Sequence, residues 1–447
     1  MKFRNWPAAV VLLASATFSW AQSAATSEEE KEMLPLDDLR TFTKVYSQIR
    51  ATYVEDVSDK ELLEYAIKGM LSELDPHSNY LDASSFDDLQ VHTTGEFGGL
   101  GIEVGMENGF VKVIAPIDDT PAAKAGLQPG DLIITLDDKP VKGLSLGEAI
   151  DIMRGPVGTE INITVVRDGI EQPFDVSIVR DTIKVRSVRS RVLEPGYGYL
   201  RIAQFQVKTG EDFIDEIDKL RAKEPNLKGL VLDLRNNPGG ILQSSVKVAD
   251  AFLDGGLVVY TDGRVENADV KYHATKGDHA DGIPLVVLIN QGSASASEIV
   301  AGALQDHGRA IIMGTESFGK GSVQTVIPIS DDRAIKLTTA LYFTPQGRSI
   351  QAQGIAPDIL VERAKITALE SGESFTEADL QGRLDNGNGG EANGTKKREE
   401  REKSRPNIAA SDNQLFEALN LLKGIHIFAR NGKTVETTHM AENNVEP

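Results

Sequence analysis

The residues best equipped for chemistry lie between Pro284 and Gln324. Ser293, Ser295 and Ser297 alternate with alanines, and Lys320 stands between Gly319 and Gly321, 25 positions after Ser295. A serine becomes a nucleophile when a base takes its proton and backbone N–H groups await the oxyanion. Ser295 opens a helical pattern, so free N–H groups, that of Ala296 among them, would face an acyl oxygen there. The same Ser295-Ala296-Ser297-Glu298 run also reads as a capping box, which on its own is the simpler account of the serine. None of the seven histidines sits in a triad context, and His307 falls at the far end of the helix that Ser295 opens. Lys320 is the base that remains, because burial can lower a lysine's pKa towards neutrality. A solvated loop lysine is its alternative. No HExxH or CxxC occurs, cysteine is absent, and His273 and His279 with Asp278 and Asp281 read as a solvated loop, so no metal site is expected.

Several elements must position these groups. A buried strand (285–290), a small-residue loop, a helix (about 297–307), a second strand (309–313) and a Gly-rich loop lead to a strand opening near Lys320. Period-two spacing places Lys320, Ser322 and Gln324 on one face. Upstream, strands at 197–205 and 227–234 alternate with helices at 211–222 and 241–252. The loop Arg235-Asn236-Asn237-Pro238-Gly239-Gly240 presents free backbone N–H groups at a helix mouth. It lacks the Lys-Ser/Thr ending of a P-loop. This is an α/β pattern, whose reactive groups gather where strands end and helices begin.

From Gly95 the composition shifts to short β-rich runs (101–106, 110–114, 132–136, 160–167) with one amphipathic helix, 145–154. Gly99-Leu100-Gly101-Ile102, Pro121-Ala122-Ala123-Lys124-Ala125-Gly126-Leu127 and Gly130-Asp131 resemble a PDZ domain. The resemblance implies that Gly99, Leu100, Gly101 and Ile102 capture a peptide's terminal carboxylate. Converging N–H groups form an anion nest, and the following strand offers an edge to an extended peptide.

The ends are less regular. Lys2 and Arg4 precede an apolar run, Pro7 to Trp20, with Ser19 and Ala21 as small residues, the pattern of a cleaved signal peptide rather than a membrane anchor. The mature protein is therefore expected in the periplasm, without disulfides. A net charge of −20 argues against nucleic acid and anionic lipid as principal partners. Two amphipathic helices follow Pro35, carrying Leu39, Phe42, Val45, Ile49 and, after a Ser58 cap, Leu62 to Leu74. Their apolar surface must pack on this chain or on another subunit. Residues 373–407 are poor in apolar side chains and read as a linker. Leu415, Leu419 and Leu422 mark a short terminal helix for docking or oligomerisation.

Taken with the PDZ stretch, Ser293 to Ile299 with Phe318-Gly319-Lys320-Gly321 and Gln324 resembles the carboxyl-terminal processing (tail-specific) peptidases over about residues 35–365. That resemblance implies a crotonase-like α/β core with an inserted PDZ domain and an N-terminal helical region. The expected divisions are 1–21 signal peptide, 22–94 helical region, 95–180 PDZ domain, 181–365 protease core, 366–410 linker and 411–447 helical tail. It implies Ser295 as nucleophile, Lys320 as general base, Gln324 as the residue orienting the lysine, and the N–H groups of Gly240 and Ala296 as oxyanion hole. No cofactor is called for. The implied activity is periplasmic endopeptidase cleavage near substrate C-termini that the PDZ domain recognises. The resemblance also implies self-association and, by analogy with relatives, a helical-repeat lipoprotein adaptor presenting cell-wall hydrolases. Two other classes compete: a PDZ-bearing peptide-binding or holdase protein with an inactive core, and an acyl-CoA enzyme, which an exported compartment disfavours.

Overall fold

The computed structural model describes residues 35–117, 119–265, 268–366 and 408–442, with Gln381 and Leu384 as single positions. The expected signal peptide and nearly all of the expected linker lie outside the described residues. The chain divides into two compact units, Met1–Pro76 and His77–Pro447.

In the first unit, α1 (Leu36–Thr52) and α2 (Asp59–Ser72) are the two expected helices. Ser58 caps α2 with a reciprocal box: its hydroxyl accepts the Glu61 N–H, and the Glu61 carboxylate accepts the Ser58 N–H. No residue of α1 is buried, so its stripe of Leu39, Phe42, Val45 and Ile49 lies open.

The second unit opens with β1 (Asn79–Leu81), α3 (Ala83–Thr94) and β2 (Glu96–Gly99). The helix α3 was not expected; Asp82 caps its start and Gly95, at φ 72°, ends it in the left-handed region. Then come β3 (Ile102–Glu107), β4 (Phe110–Pro116), the single turn α4 (Pro121–Lys124), β5 (Leu132–Leu136), β6 (Lys139–Pro140), α5 (Leu146–Met153), β7 (Glu160–Val166) and β8 (Phe174–Val179). Their sheet runs β3-β4-β5-β7-β8, with β6 beside β5. Alternate residues turn inward, Val111 with Val113 and Ile161 with Ile163 and Val165, and pack with Ala149 and Met153 of α5. One buried ion pair closes this domain: Arg167 grips Asp131 through two hydrogen bonds of 2.7 and 2.8 Å. The next strand, β9 (Asp181–Lys184), returns antiparallel to β2, pairing Gly99 with Asp181 and Glu96 with Lys184. Chain thus goes out and comes back on neighbouring strands, which is the geometry of an insertion.

The remaining chain builds a core of two sheets. Its elements are β10 (Val188–Glu194), β11 (Tyr197–Ile202), α6 (Thr209–Lys223), β12 (Gly229–Asp233), α7 (Leu242–Asp250), β13 (Gly256–Asp262), β14 (Lys271–Ala274), β15 (Leu285–Ile289), α8 (Ala296–Asp306), β16 (Ile311–Gly314), β17 (Ser322–Ser330), β18 (Arg333–Phe343), β19 (Ile359–Leu360), α9 (Ile408–Ser411) and α10 (Asn413–Glu442). One sheet has the order β10-β11-β12-β15-β16-β19 and is parallel from β11 onward. Every residue of β12 and β15 is buried, as a central parallel strand covered on both faces requires. Leu230, Leu232, Leu285, Val287 and Ile289 meet residues of α6, α7 and α8. The alternate positions Val231, Val286 and Leu288 meet Leu415, Ala418, Leu419 and Leu422 of α10. The terminal helix is therefore longer than expected, and its three leucines cover the core's own sheet. Each buried leucine stabilises that docking by about 1.5–3 kcal/mol. The second sheet, β1-β18-β13-β14 with β17 beside β18, is antiparallel in every pairing. Among the described residues no helix is long and apolar enough to cross a membrane.

Candidate active site

The loop between β15 and α8 separates the three serines. Ser293 and Ser297 are fully buried, and their hydroxyls donate to the carbonyls of Leu234 (2.8 Å) and Asn237 (3.0 Å). Both are structural pegs between neighbouring loops. Ser295 instead lines a cleft of about 640 Å³ together with Ala296, Gly240, Lys320, Gln324 and Tyr342. Its backbone sits at φ 56°, ψ −115°, a conformation costly to any residue with a side chain. Strain of this kind lifts a side chain out of a strand-to-helix turn, as it does in nucleophile elbows.

Glu298, seen in the sequence only as the third residue of a capping box, is fully buried and holds the two halves of the site together. Its Oε2 accepts the N–H of Ser295 (2.7 Å) and the N–H of Lys320 (2.9 Å). Its Oε1 accepts the Ser317 hydroxyl (2.6 Å) and the Gly319 N–H (2.7 Å). The expected capping box is present, the carboxylate taking the Ser295 N–H, and Glu298's own N–H also donates to the Ser295 carbonyl at 2.8 Å. Burial pushes the Glu298 carboxyl above its ordinary value, and the four hydrogen bonds recover only part of that cost.

Gly239 and Gly240 form the opposite wall. A Cβ on Gly239, at φ 99°, would stand 2.6 Å from the Ala294 oxygen and 2.7 Å from the Ser295 Cβ. One on Gly240 would meet the Phe205 oxygen at 2.0 Å. Only glycine permits this approach. Among the described residues neither the Gly240 nor the Ala296 N–H donates a hydrogen bond, which leaves two donors at the cleft. The loop is pinned throughout: Gly239 N–H to Asn237 Oδ1 (2.9 Å), Ala294 N–H to the Asn237 carbonyl (3.0 Å), and Asn236 N–H to Asn290 Oδ1 (2.9 Å).

Lys320 lies two residues before β17, not within the strand as the spacing suggested, because Gly319 and Gly321 pack against the backbone of residues 351–354. The strand-face prediction therefore holds for Ser322 and Gln324 alone. The Gln324 amide donates to the Ser322 hydroxyl at 2.8 Å. Tyr342, which the sequence gave no reason to single out, donates its hydroxyl to the Lys320 carbonyl. Burial raises its phenol well above the ordinary value, the Glu298 charge adds to this, and hydrogen bonding with the Ser295 side chain opposes it. Among the described residues no group of His, Cys, Asp or Glu could hold a metal ion.

In the PDZ region Leu100 and Gly101 bridge β2 and β3. The Leu100 side chain is only 2 % exposed and belongs to the domain core, so a ligand could meet this residue through its backbone alone. The N–H groups of Leu100 and Gly101 donate to nothing among the described residues, whereas their carbonyls accept from Ala122 and Ile117. In the sheet β3 pairs with β4 only, leaving its other edge open.

Known proteins are similar to this chain. The family model for peptidase family S41 matches residues 196–361, that for the PDZ domain matches 98–178, and that for the activating protease CtpB N-terminal domain matches 9–85. The carboxy-terminal-processing protease of Bartonella bacilliformis is 48% identical over 423 residues, 93% of this chain and 94% of that protein. Carboxy-terminal processing protease CtpA of Bacillus subtilis is 35% identical over 80% of this chain and 75% of its own. Among solved structures, a photosystem II D1 C-terminal processing protease is 30% identical with a TM-score of 0.43, covering 72% of this chain and 92% of that one. The family models and the two protease relatives define the class, a serine-type protease carrying a PDZ domain. The chain belongs to peptidase family S41, among the carboxy-terminal-processing proteases.

Proposed function

We propose that this protease cuts protein substrates near their C-termini through an acyl-enzyme on Ser295, with Lys320 as the base. One observation carries the reading. Ser295 is the one serine of its run that opens to the cleft, its backbone is strained outward, and a single Glu298 oxygen ties its N–H and that of Lys320 together. Lys320, as a neutral amine, takes the Ser295 proton as Oγ attacks the scissile carbonyl. The Gly240 and Ala296 N–H groups receive the oxyanion. The Lys320 ammonium then protonates the leaving amine, and water, deprotonated by the same lysine, releases the acyl group. Gln324 and Tyr342 hold the lysine's surroundings, and Tyr342 fixes its carbonyl.

Substrate tails enter by adding a strand to β3, their terminal carboxylate on the Leu100 and Gly101 N–H groups. The signal-like N-terminus supports a periplasmic location. The open stripe of α1 supports self-association, or the seating of an adaptor that presents cell-wall hydrolases.

The test incubates the unmodified protein, Ser295→Ala and Lys320→Ala with an unfolded protein bearing an apolar C-terminus, followed by mass spectrometry of the products. Cleavage by the unmodified protein alone, with both variants folded, supports the mechanism. Normal cleavage by Lys320→Ala removes the base assignment, and normal cleavage by Ser295→Ala removes the whole reading.

A further inference from the structure

The loop that carries Gly240 begins with a side chain held by the far end of the chain. Arg235 uses all five N–H donors of its guanidinium. Nε and Nη2 reach the two oxygens of Asp233 at 3.0 and 2.7 Å. Nη1 and Nη2 reach the two oxygens of Asp412 at 2.8 and 2.7 Å, and Nη1 also reaches Gln414 Oε1 at 3.0 Å. Three of the five bonds therefore go to residues at the start of α10. Little of the Arg235 side chain meets solvent (13%), and that of Asp233 meets almost none (1%). Tyr199 donates a further hydrogen bond to Asp233, at 2.8 Å.

The clamp is itself anchored. Asp412 Oδ1 also accepts the Leu415 N–H at 3.1 Å, and Leu415, Ala418, Leu419 and Leu422 hold α10 against β12, β15 and β16. Gln414 and Asn413 tie the helix start to the carbonyls of Val361 and Glu362, at 2.7 and 2.8 Å. From Arg235 the connection runs through Asn236, locked to Asn290 by two 2.9 Å hydrogen bonds, to Asn237, whose carbonyl receives Ala294 N–H and Ser297 Oγ. Both walls of the cleft thus share bonds with the loop that Arg235 begins.

A buried ion pair is a poor way to gain stability, because desolvation consumes most of the attraction. What it does supply is direction, since a guanidinium gripping two carboxylates has one orientation. We propose that α10 is an active-site positioning element: Asp412 and Gln414 set Arg235, Arg235 sets the loop, and the loop aims the Gly240 N–H at the oxyanion. Asp412 and Arg235 are positioning residues, and turnover by this protease depends on a helix far in sequence from the reacting groups.

This inference rests on the Ser295 mechanism with Gly240 in the oxyanion hole, so its test carries Ser295→Ala in parallel. Full-length Asp412→Ala/Gln414→Ala is compared with the unmodified protein for kcat and KM on a peptide substrate. The rate of Ser295 acylation by a fluorophosphonate probe and thermal unfolding are measured alongside. The expected result is a fall in kcat and acylation rate of about 10- to 100-fold, the scale of a misdirected oxyanion donor, with KM unchanged within about twofold and a cooperative melt. Asp412→Asn, which keeps one acceptor, should fall between. If the double variant fails to fold, Arg235→Lys, which keeps the charge but cannot grip both carboxylates, is measured instead with the same kcat expectation. Unchanged kcat in a folded variant overturns the inference, as does a loss that matches only the unfolded fraction. Probe labelling of Ser295→Ala would instead overturn the mechanism beneath it.

Discussion

Glu298→Gln separates what the buried carboxylate does for the fold from what it does for the chemistry. The substitution preserves shape and removes charge. Its single oxygen fits best at the Oε2 position, where it keeps the N–H groups of Ser295 and Lys320. The new NH2 then faces Ser317 and Gly319. Ser317 can turn and accept, since its hydroxyl is already an acceptor for Ile355 N–H, but the Gly319 N–H is stranded against another donor. One stranded buried donor costs about 1–3 kcal/mol. Against this stands relief of the buried charge, which in the unmodified protein lifts the carboxyl above its ordinary value. A group raised in this way contributes stability that is complete below its unfolded pKa and is lost as pH rises through the folded one. The variant lacks that loss. It should therefore be less stable by about 1–3 kcal/mol at acid pH, and the gap should narrow as pH rises towards 8. Turnover at pH 8 should nonetheless fall at least about tenfold, because a neutral oxygen holds the Ser295 and Lys320 backbones about half as strongly. Urea unfolding followed by circular dichroism at both pH values, with kcat on the same preparations, reads both effects. A stability gap that widens with pH, or a folded variant with unchanged kcat, would refute the reasoning.

Three further outcomes follow from other residues. Gly239→Ala should lower kcat about a hundredfold or more in steady-state assays, since its Cβ would press on the Ala294 oxygen and the Ser295 Cβ while φ stays at 99°. Ser295→Gly and Ser295→Ala should both be inactive, yet the glycine variant should unfold at higher urea, by about 1 kcal/mol, because only it is at ease at φ 56°, ψ −115°. Arg167→Ala should destabilise the PDZ domain by about 3–5 kcal/mol, measured by urea unfolding, through the fully buried Asp131 carboxylate left unpaired. In the unmodified protein burial raises Asp131, but Arg167 and the Gln128 N–H outweigh it and hold the carboxyl below its ordinary value. That contribution is therefore present at neutral pH and lost as pH falls, whereas the variant should gain stability on acidification.

Much of this was legible because the signals were local. Strand, small-residue loop and helix follow one another within a few residues around Ser295, and the cleft gathers Ser295, Ala296, Gly240, Lys320 and Gln324, the residues that the family resemblance grouped. What stayed hidden was non-local. The Arg235–Asp412 clamp joins residues 177 positions apart, and each reads alone as a surface charge. Glu298 was concealed by its fit to a capping box, whose local grammar says nothing of partners at Ser317, Gly319 and Lys320. Tyr342 and the strands β13, β14 and β18 carry no local signal that ties them to the site, and α3 has too weak an apolar periodicity to stand out. The strand expected at Lys320 begins two residues later because glycine contacts with residues 351–354 outrank the period-two pattern.

The pairing of β1 with β18 has a consequence in time. Asn79, Tyr80 and Leu81 are made early but find their partners only at Lys336, Ile335 and Ala334. Everything between them, including the whole PDZ domain, must be synthesised first. A contact spanning that much chain pays its loop-closure entropy late and forms slowly. The inserted domain, with both ends on adjacent strands, can fold at once as a unit of its own. A growing chain would thus display a finished PDZ domain well before the cleft could close, and a truncated product would carry that domain without the core that holds Ser295.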